Sequence, residues 1–232
     1  MDSKGVKEAL SNSINGSGKA DGVEVTFYTD PLCCWSWAIR PQWEQLREEL
    51  EGSIGVTYKM AGLLPSWNHF SDALNSISKP IHMGPEWMHA KVVSGTHINN
   101  QIWITDPPAS SFPACIAVKC AGLQSKEAED KYLYLLQKAI MIDSMNIART
   151  SVLLDVAAAM PGTFDLLSFR EDLFNDRGKE AFRRDMQECK YLGITRLPTF
   201  VFRRAGRPSL MVSGYQSYKA LKKAYGTLAD KY

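Results

Sequence analysis

Apolar and β-branched positions alternate with polar ones from Val23 to Thr29 at a period of about 2, which predicts a β-strand. Ile39, Trp43, Leu46 and Leu50 then recur at i, i+4, i+7 and i+11, one face of a helix. Ile54 to Met60 predicts a second strand. From Gly62 to about Leu192 the pattern is helical. Phe70, Leu74 and Ile77 share a face, and Ser125 is expected to cap a run that turns Tyr132, Leu135, Leu136 and Ala139 inward. Ser151 to Met160 predicts a further helix, stopped by Pro161-Gly162. Thr163 is expected to cap the next, with Leu166, Phe169 and Leu173 inward, and Phe182, Met186 and Cys189 mark the last. Gly193 to Phe202 reads as a turn, a proline and a β-run, because a proline cannot donate to a ladder and belongs at a strand's start. A turn near Ala205-Gly206, a short strand at Leu210 to Ser213 and a closing helix carrying Tyr215, Tyr218, Leu221 and Tyr225 complete an α/β chain.

The chemistry concentrates where the first strand hands over to the first helix, at Asp30-Pro31-Leu32-Cys33-Cys34-Trp35-Ser36-Trp37. The first amides of a helix lack internal acceptors and, with the macrodipole, favour negative charge. Cys33 is therefore expected to ionise readily and to act as a nucleophile. Ser36 stands one turn on, where its hydroxyl could donate to the thiolate. It cannot attack a mixed disulfide, so an outside thiol must finish any exchange cycle. Cys34 either resolves such a disulfide or is a spectator, since neighbouring cysteines rarely close an unstrained bond. Trp35 and Trp37 offer flat apolar surface beside the sulfur, although Trp37 fits a core equally well. Cys115, Cys120 and Cys189 read as packing residues. His69, His82, His89 and His97 show no ligand spacing, so no metal site is expected.

Composition narrows the setting. The 232 residues are 45% hydrophobic with a formal charge of +2, ample for a core and without a basic excess for nucleic acid or membrane. No apolar run approaches the roughly 18 residues that span a bilayer. Residues 1–22, rich in Ser, Asn, Gly and Lys, are expected to be a flexible tail with a short helix around Val6 to Leu10 rather than a secretory signal. A cytoplasmic location follows as the expectation, with the five cysteines mainly reduced.

Cys33 at a helix start, Pro41 eight residues later and Pro198 opening a distant strand together resemble the thioredoxin fold. The Asp30-Pro31-Leu32-Cys33 motif, Trp35, Trp37, Pro41-x-Trp43-Glu44, Pro113-Ala114-Cys115 and Leu197-Pro198-Thr199-Phe200 resemble DsbA-family proteins of the FrnE-like, dithiol-disulfide isomerase type, over roughly Val23 to Leu228. That family usually carries Cys-x-Trp-Cys; here the fourth position is Ser36. The resemblance implies a thioredoxin-like core, residues 23–62 and 193–232, with a large inserted α-helical subdomain, residues 63–192. It implies a cis Pro198 facing Cys33, and a substrate held by Trp35, Trp37, Leu197, Pro198 and Thr199, the Leu197 backbone pairing with it as a strand would. The function it implies is thiol-disulfide exchange through a monothiol Cys33, with protein thiols or disulfides, or glutathione, as partner and no tightly bound cofactor. Two other readings stay open: a glutathione-dependent transferase or isomerase similar to the kappa class, which uses a serine in this turn, and a non-enzymatic adaptor for client proteins.

Overall fold

A computed structural model describes residues 22–72 and 75–229. Four strands form one sheet in the order β2-β1-β3-β4: β1 (Val23–Thr29), β2 (Ile54–Met60), β3 (Thr199–Arg203) and β4 (Leu210–Ser213). β1 runs parallel to β2 and antiparallel to β3, which pairs antiparallel with β4. The strands fall where alternation and β-branched content put them, since a half-buried pleat rewards that pattern. The expected tail and its short helix lie outside the described residues, as does Leu74.

One face of the sheet is an aromatic stack. Phe27 on β1 sits opposite Phe200 on β3 in register, and their rings stack at 4.3 Å. Trp43 closes the stack 5.1 Å from Phe200 and donates its indole N–H to Tyr58 Oη. Burying each such ring stabilises the fold by about 1.5–3 kcal/mol. Trp43 belongs to α2 (Arg40–Glu49), which follows the five-residue α1 (Cys34–Ala38). The single helix expected after the cysteines is therefore two, broken at Ile39. Pro41 falls in the first turn of α2, where its missing N–H costs nothing. The C-terminal helix α10 (Tyr218–Ala229) packs beside α2.

Among the described residues, seven helices and a 3₁₀ turn at Pro80–His82 lie between β2 and β3: α3 (Met83–Ser94), α4 (Ile102–Thr105), α5 (Phe112–Gly122), α6 (Lys126–Met141), α7 (Thr150–Ala158), α8 (Leu166–Phe174) and α9 (Arg177–Tyr191). Ser125 caps α6 by accepting from the Ala128 amide at 3.0 Å. Three local expectations are corrected. The described residues between Phe70 and Ile77 are not helical: Asp72 accepts from the Asn75 amide at 3.1 Å, Ser76 adopts a left-handed φ of 56°, and Asp72 bridges Ile77. α8 is capped by Asp165, which accepts from the Leu167 and Ser168 amides, and not by Thr163. Tyr215 precedes α10 rather than joining it, because Gly214 turns the chain with φ 78°.

α9 closes the other face of the sheet through buried charge. Asp185 receives Lys59 of β2 and Lys119 of α5, each at 3.0 Å, together with the Met60 amide at 3.1 Å. Glu188 receives Lys59 and the Tyr28 hydroxyl, and Glu129 of α6 receives Lys119. Sheet and helices are thereby tied by one ionic network.

Candidate active site

The loop after β1 is organised by Asp30, whose side chain is fully buried. Its carboxylate accepts from the Leu32 amide at 2.8 Å, the Leu63 amide at 2.6 Å and the Ser111 hydroxyl at 2.8 Å, with the Cys115 thiol at 3.3 Å. Four donors mark a carboxylate that is solvated by protein instead of water, and no cation is among them. Burial pushes its pKa up even so, with the donors opposing. The Ser111 hydroxyl is thus spent on Asp30, and Ser110 Oγ is the group that accepts the Phe112 amide at the start of α5.

Asp30 also sets the turn that presents the sulfur: the Cys33 amide donates to its carbonyl at 3.0 Å. Cys33 caps α1, its Sγ accepting from the Ser36 amide at 3.4 Å. The sulfur nevertheless does not ionise readily. Burial pushes the thiol up to about 11; the Ser36 hydroxyl and amide oppose this, and the negative Asp30 adds to it. The reason is one of size. A helix-end effect of about 0.3–1 kcal/mol moves a pKa by less than about one, and α1 is only five residues long. Burial wins, and the expected acidic thiol is instead protonated at neutral pH.

Ser36 is buried, and its hydroxyl makes no hydrogen bond of acceptable geometry. The hydroxyl and the amide of Ser36 both favour a thiolate at the sulfur, the amide donating to it at 3.4 Å.

Cys33 and Cys34 open onto a cleft of about 430 Å³ between the sheet and the inserted helices. Its helical wall carries Met83, Glu86 and His89; its other wall carries Thr195, Arg196, Leu197 and Tyr215. Trp35 stands between them. Its indole donates to Glu86 at 2.5 Å, and its ring meets His89 edge-on at 5.3 Å and Tyr215 at 5.8 Å. The Leu197–Pro198 peptide bond is cis, and the Pro198 carbonyl accepts from the Gly214 amide at 2.7 Å.

Of the residues expected at the site, Cys33, Cys34, Trp35 and Leu197 line this cleft. Pro198 lies buried behind Leu197, and Ser36 is buried outside the lining. Trp37 turns into the core, donating to the His97 carbonyl at 3.0 Å and stacking on Tyr134. Thr199 bonds the Arg196 carbonyl and Ser213 Oγ, and so braces the strand start from behind. Burial likewise pushes Cys34 well up, and Cys115 with it. Two residues at the site had no role in the sequence reading: Asp30, visible only as a letter of the cysteine motif, and Arg196, visible only as a neighbour of Pro198. Among the described residues no cluster could hold a metal ion, and no helix is long and apolar enough to cross a membrane.

A profile of the thioredoxin family matches residues 27–223, from the first strand into the last helix. The chain belongs to the thioredoxin family. Its solved fold-mates include a candidate protein disulfide isomerase from Nitrosomonas europaea, with TM-score 0.75 and 18% identity over 91% of this chain and 99% of that one. Another is the cytosolic disulfide reductase DsbM from Pseudomonas aeruginosa, with TM-score 0.65 and 17% identity over 90% of this chain and 96% of that one. The same enzyme solved with GSH matches at TM-score 0.62 and 18% identity, with the same coverage. These likenesses establish a DsbA-like architecture for this thioredoxin-family chain. Among curated sequences, the ClpXP adapter protein SpxH of Halalkalibacterium halodurans is 26% identical over 86% of this chain. The chain spans 65% of that relative's length.

Proposed function

We propose that this protein carries out thiol-disulfide exchange through Cys33 alone, with a protein disulfide or glutathione as co-substrate, in the cytoplasm and without a tightly bound cofactor. The supporting observation is the shared cleft: Cys33 and the Leu197 backbone beside a cis proline line one cavity, so a chain docked along Leu197 passes the sulfur. In the exchange, Cys33 sulfur bonds to one sulfur of the disulfide and the bond between the two substrate sulfurs breaks. Cys33 is oxidised, the departing sulfur is reduced, and it leaves with the proton that Cys33 gave up. Because Ser36 cannot attack the adduct, an outside thiol attacks it and restores Cys33. Kinship in fold to a disulfide reductase solved with GSH agrees with this reading.

The test is to give native protein oxidised glutathione and map the adduct by mass spectrometry. The adduct is expected on Cys33 ahead of Cys115, Cys120 and Cys189, and to vanish in Cys33→Ser. Uniform labelling, or labelling that spares Cys33, defeats the proposal.

A second reading has its own support. The curated relatives are named as adapters, and a binding platform needs no thiolate, so a buried thiol raised to about 11 costs it nothing. A stable protein partner that is retained by Cys33→Ser, together with no adduct at Cys33, decides for the adaptor. The kappa-like transferase has less behind it, since it needs the serine hydroxyl in the cleft and Ser36 lies outside it.

A further inference from the structure

The cleft beside Cys33 is electrically uneven. Its carboxylates are already engaged: Glu86 accepts from the Trp35 indole, and Asp72 from the amide and side chain of Asn75. Arg196 on the opposite wall is different. Among the described residues its guanidinium has no carboxylate partner and donates no hydrogen bond. It is exposed, but its base is anchored and it has a place to lie. Gly214, at φ 78°, leaves room for it: a Cβ there would come within 3.1 Å of Arg196 Nε and 3.2 Å of Cζ. The guanidinium therefore occupies the space over Gly214 that a side chain would need, and the Arg196 carbonyl accepts from the Thr199 hydroxyl at 2.6 Å. A positioned, unpaired cation at the mouth of a cleft selects for a ligand that brings the missing anion.

We infer that Arg196 makes the Cys33 cleft selective for small disulfides bearing a carboxylate, the carboxylate lying on the guanidinium while Cys33 attacks the disulfide. This rests on the exchange chemistry proposed above. The reaction is Cys33–SH plus R–S–S–R giving Cys33–S–S–R plus R–SH. One S–S bond breaks and another forms, and the proton of Cys33 leaves on the released thiol, whose carboxylate Arg196 has no further hold on once it departs.

Three disulfides of nearly equal size isolate the charge: dithiodipropionate, bis(2-hydroxyethyl) disulfide and cystamine, which are anionic, neutral and cationic. Adduct formation on Cys33 is followed by intact-protein mass, and ratios of rates are compared between variants, because the leaving thiols differ in acidity. In the parent protein high salt is expected to shrink the anionic-to-neutral ratio. Arg196→Gln is expected to lower that ratio about threefold, the scale of a partly exposed charge pair, and Arg196→Lys to keep most of it. The cationic-to-neutral ratio should move the other way. An anionic-to-neutral ratio that is the same in Arg196→Gln as in the parent overturns the inference while leaving Cys33 chemistry intact. No adduct with any of the three overturns the exchange reading, and this inference with it.

Discussion

Two buried charged clusters join the inserted helices to the sheet, and they are built on opposite plans. Around Asp185, three carboxylates share two lysines across β2, α5, α6 and α9, so every carboxylate touches a cation although one formal negative charge remains. Around Asp30 there is one carboxylate and no cation, only N–H, O–H and S–H donors. None of the paired cluster's side chains lines the cleft. The unpaired charge sits three residues from the sulfur, where it disfavours a second negative charge on Cys33. Charge that is compensated holds the structure; charge left uncompensated acts on its neighbour.

The largest effect is expected from breaking the paired cluster. Asp185→Ala takes away the carboxylate that Lys59 and Lys119 share, leaving each with a single one, Glu188 or Glu129, and deprives the Met60 amide of its acceptor; the lost charge-assisted hydrogen bonds should cost about 3 kcal/mol in denaturant unfolding. Asp30→Ala leaves the Leu32 and Leu63 amides and the Ser111 hydroxyl without their acceptor, for a loss of about 1–3 kcal/mol. Asp30→Asn keeps an acceptor, so it should lose less stability and separate charge from shape. Alkylation of Cys33 by iodoacetamide should then occur at lower pH in Asp30→Asn than in the parent.

The parent's own pH profile sharpens the same contrast. With the thiol raised to about 11, its thiolate is scarce at neutral pH and grows tenfold with each pH unit below that value. Alkylation rate should accordingly climb throughout the range from neutral to mildly alkaline, whereas a plateau near neutrality would show an acidic thiol. The sign for stability is the reverse of the usual carboxylate case. Asp30 is raised in the folded state, so folding takes up a proton, and its contribution to stability is present at low pH and lost as pH rises through its folded pKa. The smallest change is Ser36→Cys, which puts a second sulfur beside a position whose amide already reaches Cys33 Sγ at 3.4 Å. It should release glutathione from a Cys33 adduct without added thiol, as read by mass, and alter unfolding little.

Much of the fold was legible in the chain because its signals are local. β2 and β4 begin and end where alternation places them, and Ser125 caps where a serine before a polar turn should. Where a local signal misled, a side chain competed for the backbone: Asp72 captures the Asn75 amide and turns a helical spacing into a turn. The cysteine loop and the cis proline were visible as motif letters. The thiol's acidity was not, because burial is set by residues far along the chain. Asp30 meets its Ser111 and Cys115 partners across 81 and 85 residues, and no spacing rule reaches that far. Arg196 escaped for the same reason, its meaning resting on Gly214 beside it and on its having no carboxylate partner among the described residues.

The Ser111 and Cys115 contacts have a consequence for anyone wishing to whittle this molecule down. A minimal version keeping only the four strands and their two nearest helices would strip half the donors from a sealed-in aspartate and leave the Lys59 ammonium without either of its carboxylates. The helices between β2 and β3 are thus the back wall of the cysteine turn, and cutting them away would take the turn's shape with them.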